Sequence, residues 1–270
     1  MKKIKTNEAI DKELSRLISE DLLPSTCQIF ENYTAGEMKP HGSGVFALIN
    51  GHHILMTASH VTKDMDDERQ LFVKIHSGYV SIVGNLQETD LDKEKTIDLA
   101  YIILDDAIIK DLTKGYKFVP LSKLRRHNKL LDAMQYCVIG FQEKNRKVED
   151  GKLKPSASAY FLMPSKEKVY EHYAFPKDAC FILDFKGKGT DIKTGEKRKV
   201  DTHVYGLSGC GLWLILLDHD GEKYTADYRL IGIMIQFRNS KYMCLIGNRI
   251  ELILEQLSTL GYVKYRDKSP

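Results

Sequence analysis

The sequence predicts an all-β protein with a short helix at each end. Three observations carry that expectation. Apolar runs of strand length recur at close spacing through most of the 270 residues. The Asn50-Gly51 pair, set between two such runs, is the strongest hairpin signal in the chain. Helical periodicity is confined to the two ends. Many short, closely spaced strands pack as a sandwich or barrel rather than as a doubly wound sheet, which needs helices between its strands.

The elements follow in order. Over residues 1–24, Ile10, Leu14, Leu17 and Ile18 recur at helical spacing and Pro24 ends the pattern, so a single amphipathic helix is expected to dock on the body. Residues 25–120 hold the first β-set, in the runs CQIFENY, GSGVFALI, HHILMTA, LFVKIH, YVSIVGN and DLAYIIL. Residues 121–134 are basic and lack strand alternation, which reads as a linker or short helix. The second β-set, 135–246, is read from the runs MQYCVIGF, ASAYFLM, ACFILDF, GLWLILL, YRLIGIMIQF and KYMCLIG. Within it, 142–157 and 186–201 are charged and weakly apolar, the texture of exposed loops. Residues 247–270 return to helical spacing and stop near Gly261, a C-cap glycine.

Composition excludes several classes of function. Forty Lys and Arg against 37 Asp and Glu leave a net charge of +3, and the basic residues are scattered. No nucleic-acid partner is expected from that balance. Cys27, Cys137, Cys180, Cys210 and Cys244 are odd in number and far apart, so neither a disulfide framework nor a zinc knuckle is signalled. Acidic residues interrupt the N-terminal segment, which therefore reads neither as a secretory signal nor as a membrane span. The expected address is cytoplasmic, with reduced thiols. His52 and His53 are neighbours on a strand and point to opposite faces, a poor arrangement for chelation. No metal or cofactor is expected.

Acyl transfer by a serine needs a base for the hydroxyl proton, an acid to hold that base in the right tautomer, and amide donors for the oxyanion. Three segments supply candidates in the order His, Asp, Ser. His60 follows small residues in ILMTASHV, Asp98 opens the apolar run DLAYIIL, and Ser208 lies in GLSGCG between Gly206, Gly209 and Gly211. Glycines of this density let a backbone turn its N–H groups inward at no steric cost. The α/β-hydrolase order of Ser, acid and His is disfavoured, because only His219 follows Ser208. Taken singly, each residue has a plainer reading: a core histidine, a strand-start aspartate, a turn serine. Cys210, beside an apolar run, reads as a buried and inert thiol.

At these residues the sequence resembles the chymotrypsin-like serine peptidase family. GSGVF (42–46) looks like the strand leading to the family's histidine, and TASH (57–60) is similar to its T-A-A-H. DLAYIIL (98–104) is similar to its D-I-A-L-L, GLSGCG (206–211) to its G-D-S-G-G-P, and YRLIGIMIQF (228–237) to the strand beside the substrate. The motifs fall in the family's order across residues 42–237. The resemblance implies two six-stranded antiparallel β-barrels, with His60 and Asp98 from the first and Ser208 from the second. It implies Ser208 as nucleophile, His60 as base and then acid, Asp98 as the orienting carboxylate, and the amides of Gly206 and Ser208 as the oxyanion hole. It implies a protein or peptide substrate, bound at Thr202, His203, Ile235, Gln236 and Phe237.

Departures from the family pattern carry expectations of their own. Leu207 stands where many members have the aspartate that receives a new N-terminus, so activation by N-terminal trimming is not expected. Val61 follows His60 in place of the family's cysteine. These departures, with the N-terminal helix, suggest an intracellular relative controlled by a regulatory partner. The rival reading is an inactive copy of the fold that binds peptides or partner proteins in the cleft.

Overall fold

The computed structural model describes residues 8–32, 38–63, 70–91, 93–127, 135–149, 152–185, 188–190, 197–199 and 204–263. The first helix, α1 (Glu8–Leu17), runs into a π-turn over Ile18–Leu22 and a 3-10 turn at Leu23–Ser25 that contains Pro24. Strands β1 (Thr26–Asn32), β2 (Met38–Ile49) and β3 (His52–Thr57) follow, and Asn50-Gly51 makes the β2–β3 turn with both residues at positive φ. A one-turn helix α2 (Ser59–Thr62) precedes β4 (Leu71–Ile75), β5 (Gly78–Ser81), β6 (Gly84–Glu88) and β7 (Ala100–Leu104). Helix α3 (Asp106–Leu112) and the short β8 (Val119–Pro120) complete the first unit.

These eight strands form one sheet with the order β5-β4-β1-β2-β3-β7-β6, β8 pairing with β2. It has two more strands than the six expected, and its end strands share no ladder. Only Ile82 and Val83 connect β5 to β6. Two residues span at most about 10 Å from one strand end to the next, so the sheet has to curl until its two ends meet.

The second unit contains β9 (Gln135–Glu149), β10 (Lys152–Pro164), helix α4 (Glu167–Tyr173) and β11 (Cys180–Asp184). Then come β12 (Lys188–Thr190), β13 (Lys197–Lys199), β14 (Gly211–His219), β15 (Tyr224–Asn239), β16 (Met243–Arg249) and the last helix, α5 (Ile250–Thr259). Six of the strands close a barrel, β10-β11-β16-β15-β14-β9, antiparallel at every junction, as expected.

Several sequence expectations need correction. Residues 142–157 are largely ladder, because β9 and β10 extend as a hairpin through Lys152 paired with Glu149. Charged strands beyond a barrel need no apolar alternation, since the ladder itself satisfies their backbone. Within 186–201, β12 and β13 pair as a two-stranded ribbon. The last helix begins at Ile250 rather than 247, since β16 runs to Arg249. Helices α3 and α4 lie inside the β-sets, where seven-residue helices leave too short a periodic pattern to read. In the 121–134 segment, a 3-10 turn at Leu121–Lys123 leads to Leu124, which bridges Leu230 of the barrel; residues 128–134 lie outside the described part.

One apolar core crosses both units and takes in the terminal helices. Ile10, Leu14 and Leu17 of α1 and Ile253, Leu254 and Leu257 of α5 are buried in the same cluster as Val45, Ile54, Ile139, Trp213 and Ile233. The N-terminal helix thus buries its apolar face against the body rather than offering it to a partner. Glu13 secures it: its carboxylate accepts from Arg16 at 2.7 and 3.0 Å and from the Ala226 amide of β15 at 3.0 Å. The Arg16 hydrogen bonds hold the Glu13 carboxyl down at about 2. A depressed acid stabilises the fold above its ordinary value of about 4.3 and loses that contribution as pH falls towards 2. Glu13→Gln should therefore cost about 1 kcal/mol at neutral pH and almost nothing near pH 2. Urea unfolding at the two pH values checks this, and an equal loss at both would contradict it.

Candidate functional site

Strand register brings His60 and Asp98 together. In the β3–β7 ladder Thr57 lies opposite Ala100. His60 is three residues beyond Thr57 and Asp98 two before Ala100, so both emerge past the same ladder end. The turn of α2 then aims both His60 donors at one carboxylate. The backbone N–H donates to Asp98 Oδ1 at 2.9 Å, and the ring Nδ1 lies 2.6 Å from Oδ2. A carboxylate on Nδ1 fixes the tautomer with the proton there and leaves Nε2 as the basic nitrogen. The His60 side chain is 40% exposed and that of Asp98 19%, so the ring faces solvent while its partner sits behind it.

Asp98 is itself held from the other unit. Asn248, fully buried near the end of β16, accepts from the Asp98 amide through Oδ1 at 2.8 Å. Its Nδ2 donates to Thr96 O at 2.9 Å and sits 3.2 Å from Cys180 Sγ. Thr89 adds a second clamp, donating its amide to Leu99 O at 2.9 Å. Neither residue was selected from the sequence. Asn248 left a faint signal, a strand-averse polar residue at the end of the apolar run CLIGN.

Ser208 approaches from the second unit on a loop braced at both sides. The Gly209 amide donates to Met234 O at 2.7 Å, and Met234 donates to Cys210 O at 2.8 Å. Ser43 of β2 braces the opposite side: its amide donates to Ser208 O at 2.8 Å and its Oγ to Gly206 O at 2.6 Å. Leu207 is buried in the barrel core with Val138, Phe181 and Leu245, so an apolar anchor holds this end of the Ser208 loop.

The amides of this loop divide in an informative way. Leu207 N donates to Val204 O, Gly209 N to Met234 O and Cys210 N to Leu207 O. Those of Gly206 and Ser208 have no acceptor among the described residues. Gly206 reaches this geometry at φ +95° and Gly209 at φ +87°. Two free N–H groups beside a serine hydroxyl are the donor set that stabilises a tetrahedral oxyanion.

His60, Asp98, Gly206 and Ser208 line one cavity of about 850 Å³ between the units. Ile235, Gln236 and Phe237 line it too. Thr202 and His203 lie outside the described residues. Val204, Leu207, Met234, Phe237 and Leu245 give the cavity an apolar side, and Phe237 pairs with Leu245 across the β15–β16 ladder. No hydrogen bond joins His60 to Ser208 in this structure. Such bonds are commonly long without substrate and tighten in the complex.

The five cysteines are buried and unpaired. Burial pushes the Cys210 thiol well up, which keeps it protonated and weakly nucleophilic. Among the described residues, no group of three His, Cys, Asp or Glu side chains is placed to hold a metal, and no helix is long and apolar enough to cross a membrane. No family model and no curated protein matches this chain.

Proposed function

We propose that the chain is a chymotrypsin-like serine endopeptidase acting in the cytoplasm, with Ser208 as nucleophile, His60 as general base and then acid, and Asp98 as its orienter. The observation carrying this reading is the coincidence at one cavity wall of a carboxylate-bound imidazole, a serine, and the amides of Gly206 and Ser208, unpaired among the described residues. In this mechanism His60 Nε2 takes the Ser208 proton as Oγ adds to the scissile carbonyl. The two amides bind the oxyanion. The imidazolium, steadied by Asp98, then protonates the leaving amine, and water repeats the sequence to release the acyl group.

Cleavage within a chain is supported by the free edge beside Ser208. The β14–β15 ladder ends at Gly211 opposite Ile233, where β14 gives way to the nucleophile loop. Residues 236–239 pair with β16 on one side, and their other edge has no strand partner among the described residues, which leaves it to an extended peptide added as a strand. The apolar cavity wall favours a small apolar side chain at the cut, because a buried unpaired cation is costly.

A second reading, a cleft that binds peptides without cutting, draws on the missing His60–Ser208 hydrogen bond. Labelling of the wild-type chain by a fluorophosphonate probe separates the two. Modification at Ser208 is expected, and a chain inert to the probe would favour the binding module.

Asn248 is expected to act as a positioning residue. Asn248→Ala removes the acceptor for the Asp98 amide and should lower kcat by about 10- to 100-fold with KM little changed, in line with the cost of losing groups that orient a catalytic side chain. Steady-state kinetics check the split. A variant whose loss is wholly in KM would refute the positioning role.

A further inference from the structure

Where the open edge of β15 leaves the cavity, it runs into a cluster of cations and aromatic rings. Tyr173 and His172 of α4 pack with Tyr242, ring centroids 4.7 Å apart for His172–Tyr173 and 5.3 Å for His172–Tyr242. Lys168 Nζ and Lys241 Nζ each lie 5.5 Å from the Tyr242 ring, and the Arg238 guanidinium is 6.0 Å from that of Tyr173. Tyr173 Oη donates to Tyr242 O at 2.6 Å, tying α4 to the β15–β16 turn. Among the described residues, Lys168, Arg238 and Lys241 form no ion pair with a carboxylate. Of the acids on the same helix, Glu167 is engaged by Lys177 and Glu171 is exposed. The rings hold three cations near one another at an exposed rim without neutralising them.

This cluster adjoins the cleft through β15: Phe237 and Asn239 line the cavity, while Arg238, between them in the strand, turns its side chain to the opposite face beside Tyr173, the face that alternate side chains of an added peptide strand would share. A peptide that prolongs the β14 side of the ladder runs antiparallel to β15, the more stable pairing. Its amino-terminal part then lies towards Asn239. At about 3.3 Å per residue, Arg238 is about 10 Å along the edge from Ile235. We infer that this surface selects acidic peptides, binding carboxylates about three to five residues on the amino-terminal side of the scissile bond. The inference rests on the peptidase reading for its register, and names the substrate class of that site. A peptide rather than a nucleic acid is favoured because the patch is small, continues a peptide-accepting edge, and belongs to a chain of net charge only +3.

The test uses the full-length Ser208→Ala chain and fluorescein-labelled octapeptides with the core Gly-Val-Ala-Ala-Gly. They are preceded by Glu-Asp-Glu or by the amide isosteres Gln-Asn-Gln. Fluorescence anisotropy should show the acidic peptide binding about tenfold tighter at low salt, as three exposed ion pairs would give. The preference should shrink at about 0.3 M NaCl and vanish in a Lys168→Gln/Arg238→Gln/Lys241→Gln variant that still binds the amide peptide. Equal affinity for the two peptides, or a preference surviving the triple substitution, would overturn the inference. So would a ten-nucleotide oligothymidine that binds as tightly as the acidic peptide and loses affinity in the triple variant, which would mark a general polyanion surface. Cleavage of both peptides by the Ser208 chain is followed in parallel by mass spectrometry. Cutting without acidic preference sinks only this inference; acidic preference in binding without labelling or cutting sinks only the peptidase reading.

Discussion

Ser208→Ala should abolish fluorophosphonate labelling and lower peptide hydrolysis by about 10³- to 10⁶-fold, the range seen when the nucleophile of a Ser-His-Asp constellation is removed. What survives should be small but finite, because Gly206 and Ser208 would still offer two amides to a carbonyl attacked directly by water. The fold should be untouched. Ser208 Oγ makes no hydrogen bond to another described residue, while its carbonyl, which alanine keeps, accepts from the Ser43 amide at 2.8 Å. Urea midpoints of the two chains should coincide within error. A variant that still labels would move the nucleophile elsewhere, and an unlabelled variant with a lowered midpoint would leave the assignment without support.

Gly209→Ala is expected to be severe for a different reason. A Cβ at this position would stand 2.0 Å from Ser43 O and 2.2 Å from Thr57 Oγ1, at a φ of +87° that L side chains avoid. Neither neighbour yields cheaply, since Ser43 O is backbone and Thr57 Oγ1 donates to it at 2.8 Å. Left-handed backbone for a residue with a Cβ costs about 1–2 kcal/mol, and overpacking adds about 1–3 kcal/mol. The loop would shift away from β2, carrying the Ser208 amide off the oxyanion position. Loss of one such donor lowers kcat by about 10²- to 10³-fold. The expected result is therefore a lowered urea midpoint together with a fall in kcat. Full activity at Gly209→Ala would mean that the Ser43 contact does not set the geometry of the loop.

These two substitutions separate what a residue does from where it is held. Ser208 is expected to matter for its hydroxyl alone. Gly209, Ser43 and Asn248 matter because two units meet at the cavity and each must be held against the other. Ser43 reaches from the first sheet to the Ser208 loop, and Asn248 from the barrel to Asp98. Together they make the site's geometry a property of the interface.

Much of this was legible in the residues. The β-character, the Asn50-Gly51 hairpin and the two terminal helices follow from local preferences, which act over a few residues and so leave a periodic trace. His60 and Ser208 stood out because of the small side chains and glycines written beside them in the chain, and Asp98 because it opens an apolar run. Other features left no such trace. The eight-strand count of the first sheet depends on partners distant in sequence, the β9–β10 hairpin runs through a charged stretch with no apolar alternation, and helices α3 and α4 are too short to show a period. Only the tertiary structure decided that the Gly206 and Ser208 amides find no acceptor among the described residues, that Asn248 holds Asp98 across 150 positions, and that three cations gather on Tyr173 and Tyr242 near the cleft. The physical reason is the range of the forces. A turn or an alternating strand is chosen by neighbours within a few residues. A hydrogen-bond donor is free or occupied, and a charge paired or bare, according to which distant segment the fold sets against it.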